Sequence, residues 1–296
     1  MQGASHFIFD GISSETYNLQ IVEIDAATVK EVTALSATLR TRKPSRINRH
    51  FHEGVTYDRM PEHQFTVLCD TPGGITDSDR RAILRWLVGR NAFKTLILVG
   101  DADKYTYHEL TECYPAYNAV FTNAETIYIQ NRCYGFKFTV AFDSPYAMLY
   151  KKVTDADSGA VSYAMVDMWE DGSHIIEKTD GAGLEHTIKW TNDSDIKYGF
   201  VYPIIYLNRN GLTIINTSDG DRKFEILNCG DTSQIKINCQ TKTISATRGS
   251  ASIGNISEDG RQWLRLKHGV NELKTKKADT SVEFDFQAPV YVAHGL

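Results

Sequence analysis

The chain has 296 residues, of which 42% are hydrophobic and 23% charged, with a formal net charge of −5. That length suits two domains better than one, and the apolar content supports sizeable cores, which excludes wholesale disorder. The charge is slightly acidic and evenly spread, which argues against a protein that coats duplex DNA, and no stretch is apolar enough to span a bilayer.

The chain opens with Met1-Gln-Gly-Ala-Ser-His6, which has neither a basic nor an apolar leader region, so no secretory signal is expected. The five cysteines, Cys69, Cys113, Cys133, Cys229 and Cys239, are odd in number and contain no C-x-x-C pair. This argues against a disulfide framework or a cysteine-rich zinc site, and for small apolar residues kept reduced.

The dominant texture is β, with 15 Tyr and 13 Phe in short alternating runs broken by turn residues. Phe7–Phe9 reads as a strand, Asp10-Gly11 as a tight turn, and Tyr17–Ile24 as the returning strand. Phe65–Cys69 is a further strand, ended by the turn signal Asp70-Thr-Pro-Gly-Gly74. One helix follows. Thr76 or Ser78 can cap it, Asp77 and Asp79 suit the positive end of its dipole, and Gly89 can close it. Ile83, Leu84, Trp86 and Leu87 form its apolar face. Strands are expected at Thr95–Val99, Lys104–Tyr107, Glu125–Gln130 and Tyr134–Phe142, the last with Phe136, Phe138, Val140 and Phe142 on one side. Residues 1–150 therefore predict an α+β domain, a sheet with one packed helix.

Residues 151–162 read as a connection, and 151–296 as a second domain. Beyond the connection only strands appear, including Tyr163–Trp169, Leu184–Trp190, Val201–Asn208, Leu212–Asn216, Gln234–Asn238 and Gln262–Leu266. Asp-Gly and Asn-Gly turns separate most of them, which predicts a β-sandwich or jelly roll. The expected fold class is mainly β.

Motifs that would carry chemistry are sparse. Asp101 and Asp103 form a D-x-D that can hold a cation or do acid–base work, but no EF-hand continuation or phosphate loop accompanies it, so the plain reading is a turn. Glu170-Asp171 and Glu258-Asp259 read as hairpin tips. His50, His52 and His63 lack an H-E-x-x-H pattern, and G-x-S-x-G, GxGxxG and P-loop motifs do not occur. No catalytic residue, metal site or cofactor is assigned. The most basic stretch runs from Arg40 to Arg49. Arg40, Arg42, Lys43, Arg46 and Arg49 carry five positive charges with no acid among them. It can contact phosphates or an acidic protein face, and is either a solvated loop or, mainly, a contact with a neighbouring subunit or partner. Trp169 and Trp190 are candidate sugar contacts, with Trp263, Tyr202 and Tyr206 as weaker ones. Burial in the core is the alternative for each, and the alternation of Trp263-Leu-Arg-Leu266 places Trp263 inward.

The order of these segments resembles the distal tail proteins (Dit) of long-tailed phages. The opening Phe7-Ile-Phe-Asp-Gly-Ile-Ser-Ser-Glu-Thr-Tyr17, the helix Arg80-Arg-Ala-Ile-Leu-Arg-Trp-Leu87 and the run Tyr134–Tyr146 match the family's first domain in order. Tyr202–Leu207, Leu212–Asn216, Gln234–Asn238, Lys242–Ile244, Trp263–Leu266 and Gly269–Asn271 follow its galectin-like second domain. The chain departs from several relatives in lacking a Gly-Arg-Asp-Gly-type loop near residues 45–60, and residues 151–195 have no clear counterpart. The resemblance implies a non-enzymatic ring of identical copies, commonly six, at the tail tip. Its first, tail-tube-like domain would stack under the tube protein. Its other face would hold the tail-associated spike or lysin protein, and its second domain would meet receptor-binding proteins or host surface glycan. It implies assembly in the host cytoplasm, no sequence-specific nucleic acid and no membrane segment. A soluble carbohydrate-binding protein and a glycoside depolymerase are the alternatives.

Overall fold

Phe7 and Phe9 alternate with His6 and Ile8 along β1 (His6–Phe9), so both rings enter one core while their neighbours face away. The computed structural model describes residues 5–22, 37–42, 51–57, 61–90, 92–100, 104–168, 185–197, 199–207, 212–226, 235–246, 256–277 and 284–293. The chain divides into two compact units, Met1–Met165 with Val292–Leu296, and Val166–Tyr291. The first unit extends past residue 150 because β11 (Ala147–Thr154) and β12 (Val161–Met165) form a hairpin within its sheet. The expected connection at 151–162 is therefore the turn of this hairpin, residues 155–160, with strand on either side.

The first unit is built on one large sheet. Its main path runs β2 (Ile12–Ser13), β1, β7 (Lys94–Val99), β9 (Leu110–Ile129), β10 (Arg132–Phe142), β6 (Glu62–Cys69), β3 (Leu19–Val22). The Asp10-Gly11 turn joins β1 only to the two-residue β2, not to a long returning strand. Tyr17 lies instead in a 3-10 turn, Ser14–Tyr17, because the Ser13 hydroxyl accepts the Glu15 N–H and Asn18 closes the turn at φ 51°. β3 then pairs with β6. Its contact with β1 runs through a side chain. Buried Ser14 accepts the Phe7 N–H at 3.2 Å and donates to the Leu19 carbonyl at 2.9 Å. Ile21 N–H reaches the Ser5 carbonyl at 3.0 Å, so β3, at one end of the path, meets the strand near the other end.

The helix α1 (Asp77–Leu87) forms where the sequence places it. Thr76, not Ser78, caps it by accepting the Asp79 N–H, and Val88 rather than Gly89 occupies its C-terminal cap. Ile83, Trp86 and Leu87 are buried against Phe7, Phe9, Phe65, Phe121, Phe136, Phe138 and Phe142. The rings pack edge-on or offset: Phe9–Phe121 at 4.9 Å and 77°, Phe121–Phe138 at 5.2 Å and 86°. The period-two run 136–142 places all four expected side chains inward. Gly135 is required by close approach, since an added Cβ would lie 2.0 Å from the Val67 carbonyl on β6.

β9 is far longer than the expected Glu125–Gln130. Its first half pairs with β8 (Tyr105–Tyr107), β11 and β7, and its second with β10. A smaller cluster, Ile97, Val99, Tyr114 and Ala116, covers the opposite face of the sheet. β4 (Ala37–Arg42) and β5 (Phe51–Tyr57) pair with each other as a separate two-stranded sheet.

The second unit is built from strands and short turns. A five-stranded sheet has the order β13 (Glu185–Asn192), β22 (Gly269–Lys277), β16 (Leu212–Asn216), β17 (Arg222–Ile226), β20 (Ile256–Arg261). A four-stranded sheet has the order β19 (Thr243–Ala246), β18 (Ile235–Asn238), β15 (Ile204–Leu207), β23 (Phe284–Gln287), and β14 (Phe200–Val201) pairs with β21 (Leu266–Lys267). Each larger sheet buries one face: Trp190, Ile214, Phe224 and Leu273 from the first, Ile205, Leu207, Ile235 and Ile237 from the second. Glu258-Asp259 lies inside β20 and not at a hairpin tip. Trp263 is buried as expected, but Leu264 is buried too, because Gln262–Arg265 runs outside a strand and the period-two rule does not apply there.

One end of this unit is held by buried amides. Asn271 accepts the Lys267 N–H and donates to the carbonyls of Lys267 and Gly269, while Asn216 donates to Arg265 O and Asn271 Oδ1. Beside them Asp219 takes a two-point ion pair from Arg265 at 2.7 and 3.1 Å, and the same guanidinium lies 3.7 Å from the centre of the Phe200 ring.

Candidate assembly surfaces

The basic run begins on β4. Arg40 pairs across the hairpin with Gly54, and Arg42, opposite Phe51, is exposed. Lys43, Arg46 and Arg49 lie outside the described residues, as do His50, Asp101, Asp103, Glu170, Asp171 and Trp169. The hairpin is short and twisted by a register shift between Arg40 and Thr41.

Trp190 does not serve as a sugar platform. It is 1% exposed, because it sits on the inward face of β13 opposite Asn271. Tyr206 and Tyr202 are half-buried, and the Lys236 ammonium lies 5.5 Å from the centre of the Tyr206 ring. His63 sits on β6 across from Val140. Among the described residues no group of three His, Cys, Asp or Glu side chains is arranged to hold a metal. Burial pushes the Cys239 thiol up to about 12 and raises Cys133, so both are packing residues at neutral pH.

Two features escaped the sequence reading. The first is an open cleft of about 440 Å³ lined by Ser5, His6, Glu15, Asn18, Gln20 and Asp70, among others. Glu15 stands at its edge with its side chain 67% exposed, 3.7 Å from His6 Nε2. No Lys or Arg lines it. The second is a four-strand array, β8–β9–β11–β12, in which Tyr105, Cys113, Lys151 and Ala164 stand in one row. Its outer strands are edges among the described residues: β8 pairs with β9 and β12 with β11. β12 reads Val-Ser-Tyr-Ala-Met, with no charge, no proline and no bulge, and Val161, Ser162 and Ala164 are exposed. A strand of this kind offers open N–H and C=O groups to another chain. Neither feature has a local sequence motif, since each is assembled from segments distant in the chain.

Residues 2–144 match the model of the family described as the phage tail protein N-terminal domain. Comparison with curated protein sequences gives no match.

Among solved structures the whole chain has the fold of a distal tail protein. It is similar to the Dit protein of phage SPP1, described as a paradigm of hub adsorption apparatus in phages infecting Gram-positive bacteria. The identity is 12% over 96% of this chain and 98% of that one, with a TM-score of 0.50. It is also similar to chains of the phage P2 baseplate in its activated conformation, with calcium (9% identical, 95% of this chain, 96% of that chain, TM-score 0.52) and with strontium (9%, 95%, 97%, TM-score 0.52). At these identities the likeness is one of fold, mainly β, from end to end.

Proposed function

We propose that this chain is the distal tail protein of a phage: a non-enzymatic hub, assembled from identical copies into a ring at the tail tip. The observation that carries this is the two-way coverage of the SPP1 Dit hub, 96% of this chain and 98% of that one, on top of a phage tail domain match. In this reading the ring is a hexamer built in the host cytoplasm and seated in the virion baseplate. The first unit stacks under the tail tube protein, the other face holds the spike or lysin protein, and the second unit meets receptor-binding proteins.

The four-strand array supports it physically. Each neighbouring pair in the array is antiparallel, so with four strands its two edges run in opposite directions. Copies related by rotation about one axis then present β12 of one to β8 of the next in antiparallel sense, and head-to-tail contacts of this type close into rings. The burial of Trp190 removes one of the two aromatic platforms on which a sugar-binding reading stood.

Native mass spectrometry and negative-stain imaging of the purified full chain, alone and with its tube and spike partners, test the reading. A closed ring of copies is the expected result. A species that stays monomeric at high concentration with both partners present overturns it.

A further inference from the structure

Among the exposed large hydrophobic side chains two are consecutive: Tyr128 is 55% and Ile129 51% exposed. They end β9, and the turn Gln130-Asn131 leads the chain back into β10 through two left-handed residues, φ 49° and 64°. A two-residue turn of this kind matches the twist of the strands it joins, so the tip has a fixed shape. Its base is fixed as well. The Ile75 N–H donates to the Cys133 carbonyl at 2.7 Å, and the Tyr134 hydroxyl donates to the Pro72 carbonyl at 3.1 Å. Arg80 on α1, itself paired with Asp77, donates to the Tyr128 hydroxyl at 3.2 Å. Tyr128 pairs with Cys133 and Ile129 with Arg132, so the alternation of a strand puts one apolar group on each face of the hairpin. A tip that is apolar on both faces fits into a groove rather than flat against a surface.

The tip stands far along β9 from the edges through which copies meet side by side. Cys113 pairs with both Tyr105 and Lys151 in the four-strand array. Sixteen residue steps at roughly 3.3 Å carry β9 from there to Ile129, about 50 Å of strand. In a ring joined at its strand edges the strands cross the ring's thickness, so the tips of all copies stand in one circle on one face. Each tip exposes on the order of 200 Å² of apolar side chain, too little to hold a partner alone. Six together expose on the order of 1,200 Å², beyond the roughly 800 Å² a side of a stable interface.

We propose that the Tyr128–Ile129 tips dock the ring, as a set, into apolar grooves repeated around a ring-forming protein stacked on that face. The docking rests on the ring reading and names the surface by which the ring holds an axial partner. Weak contacts repeated around a circle add up to avidity, so the assembled ring binds and the single copy does not.

The test compares the full wild-type chain with I129S and Y128S/I129S, using the purified tube protein and the purified spike protein of the same phage as probes. Native mass and sedimentation read the ring and its complexes, and the melting temperature reads the fold. Both variants are expected to keep the wild-type melting temperature and ring mass, and Y128S/I129S to bind one of the two probes at least tenfold more weakly than wild type. I129S leaves the Arg80–Tyr128 bond in place and is expected to weaken the same probe, so the docking stays testable if the double variant melts lower. If the variant rings bind both probes as wild type does, or wild-type rings bind neither, the docking is overturned and the ring stands. If the variants lose ring mass at an unchanged melting temperature, the tip belongs to the contact between copies and axial docking is overturned. If the wild type forms no ring with both probes present, the ring reading itself falls.

Discussion

The Trp86 indole N–H donates to the Phe9 carbonyl at 2.9 Å while its ring lies parallel to that of Phe7, 5.7 Å away at 7°. One side chain thus ties α1 to β1 by both a directed bond and a stacked face, and Tyr17 stacks on it at 5.7 Å. A residue on the helix's apolar face is doing more than filling space: it fixes the helix's position along the strand. Replacing Trp86 with Phe keeps most of the apolar volume and removes the donor, at an expected cost of about 1–2 kcal/mol; Ala costs about 3–5 kcal/mol. Urea unfolding of both variants measures the difference. A Phe variant as stable as the wild type would show that the hydrogen bond contributes nothing.

Ser14 holds β1 to β3 with a single hydroxyl. Changing it to Ala removes the acceptor for the Phe7 N–H and the donor to the Leu19 carbonyl in a site closed to water. The expected loss is about 1–3 kcal/mol, with faster amide hydrogen exchange at Phe7 than at neighbouring β1 positions. Unchanged exchange at Phe7 would mean that the two strands meet by other bonds.

Asp219 gives the second unit a pH dependence of definite sign. The Arg265 guanidinium bonds its carboxylate and holds its pKa below the ordinary value. A carboxylate with a depressed folded pKa stabilises the fold above its unfolded pKa, about 3.9, and that contribution disappears as pH falls through the lower folded value. Wild type is therefore expected to lose more stability than D219N between roughly pH 5 and pH 2. At neutral pH, D219N is expected to be about 1–3 kcal/mol less stable, because Arg265 keeps its place against Phe200 without its counter-charge. Thermal melts across that range decide it, and parallel curves for the two proteins would count against the pair.

The edge of β12 offers a test of how copies meet. Ser162 and Ala164 are exposed on a strand that carries no charge. S162K/A164K places two ammonium groups there, the device by which natural edge strands refuse partners. Monomer stability is expected to change by less than about 0.5 kcal/mol, while ring formation falls at least tenfold. Rings of wild-type affinity in this variant would assign assembly to another surface.

Local pattern carried the parts of this protein that depend on local physics. The helix over 77–87 was legible because its cap, its acidic first turn and its apolar spacing agree within eleven residues. The inward row Phe136, Phe138, Val140 and Phe142 was legible because a strand's faces alternate whatever it pairs with. What the sequence left open depends on partners distant in the chain. The Asp10-Gly11 turn suggests a long hairpin, yet β3 pairs with β6 because Ser14 and the 3-10 turn carry the chain across the core first. Trp190 reads equally as platform or core, and its register against Asn271 on β22, some eighty positions on, placed it inside. The cleft gathers Ser5, Glu15 and Asp70 from three separate segments, and the outer edges of the array among the described residues exist only once β8, β9, β11 and β12 lie side by side. Composition and periodicity determine which residues turn inward; only the closing of the sheet decides which backbone edges and charges are left facing out.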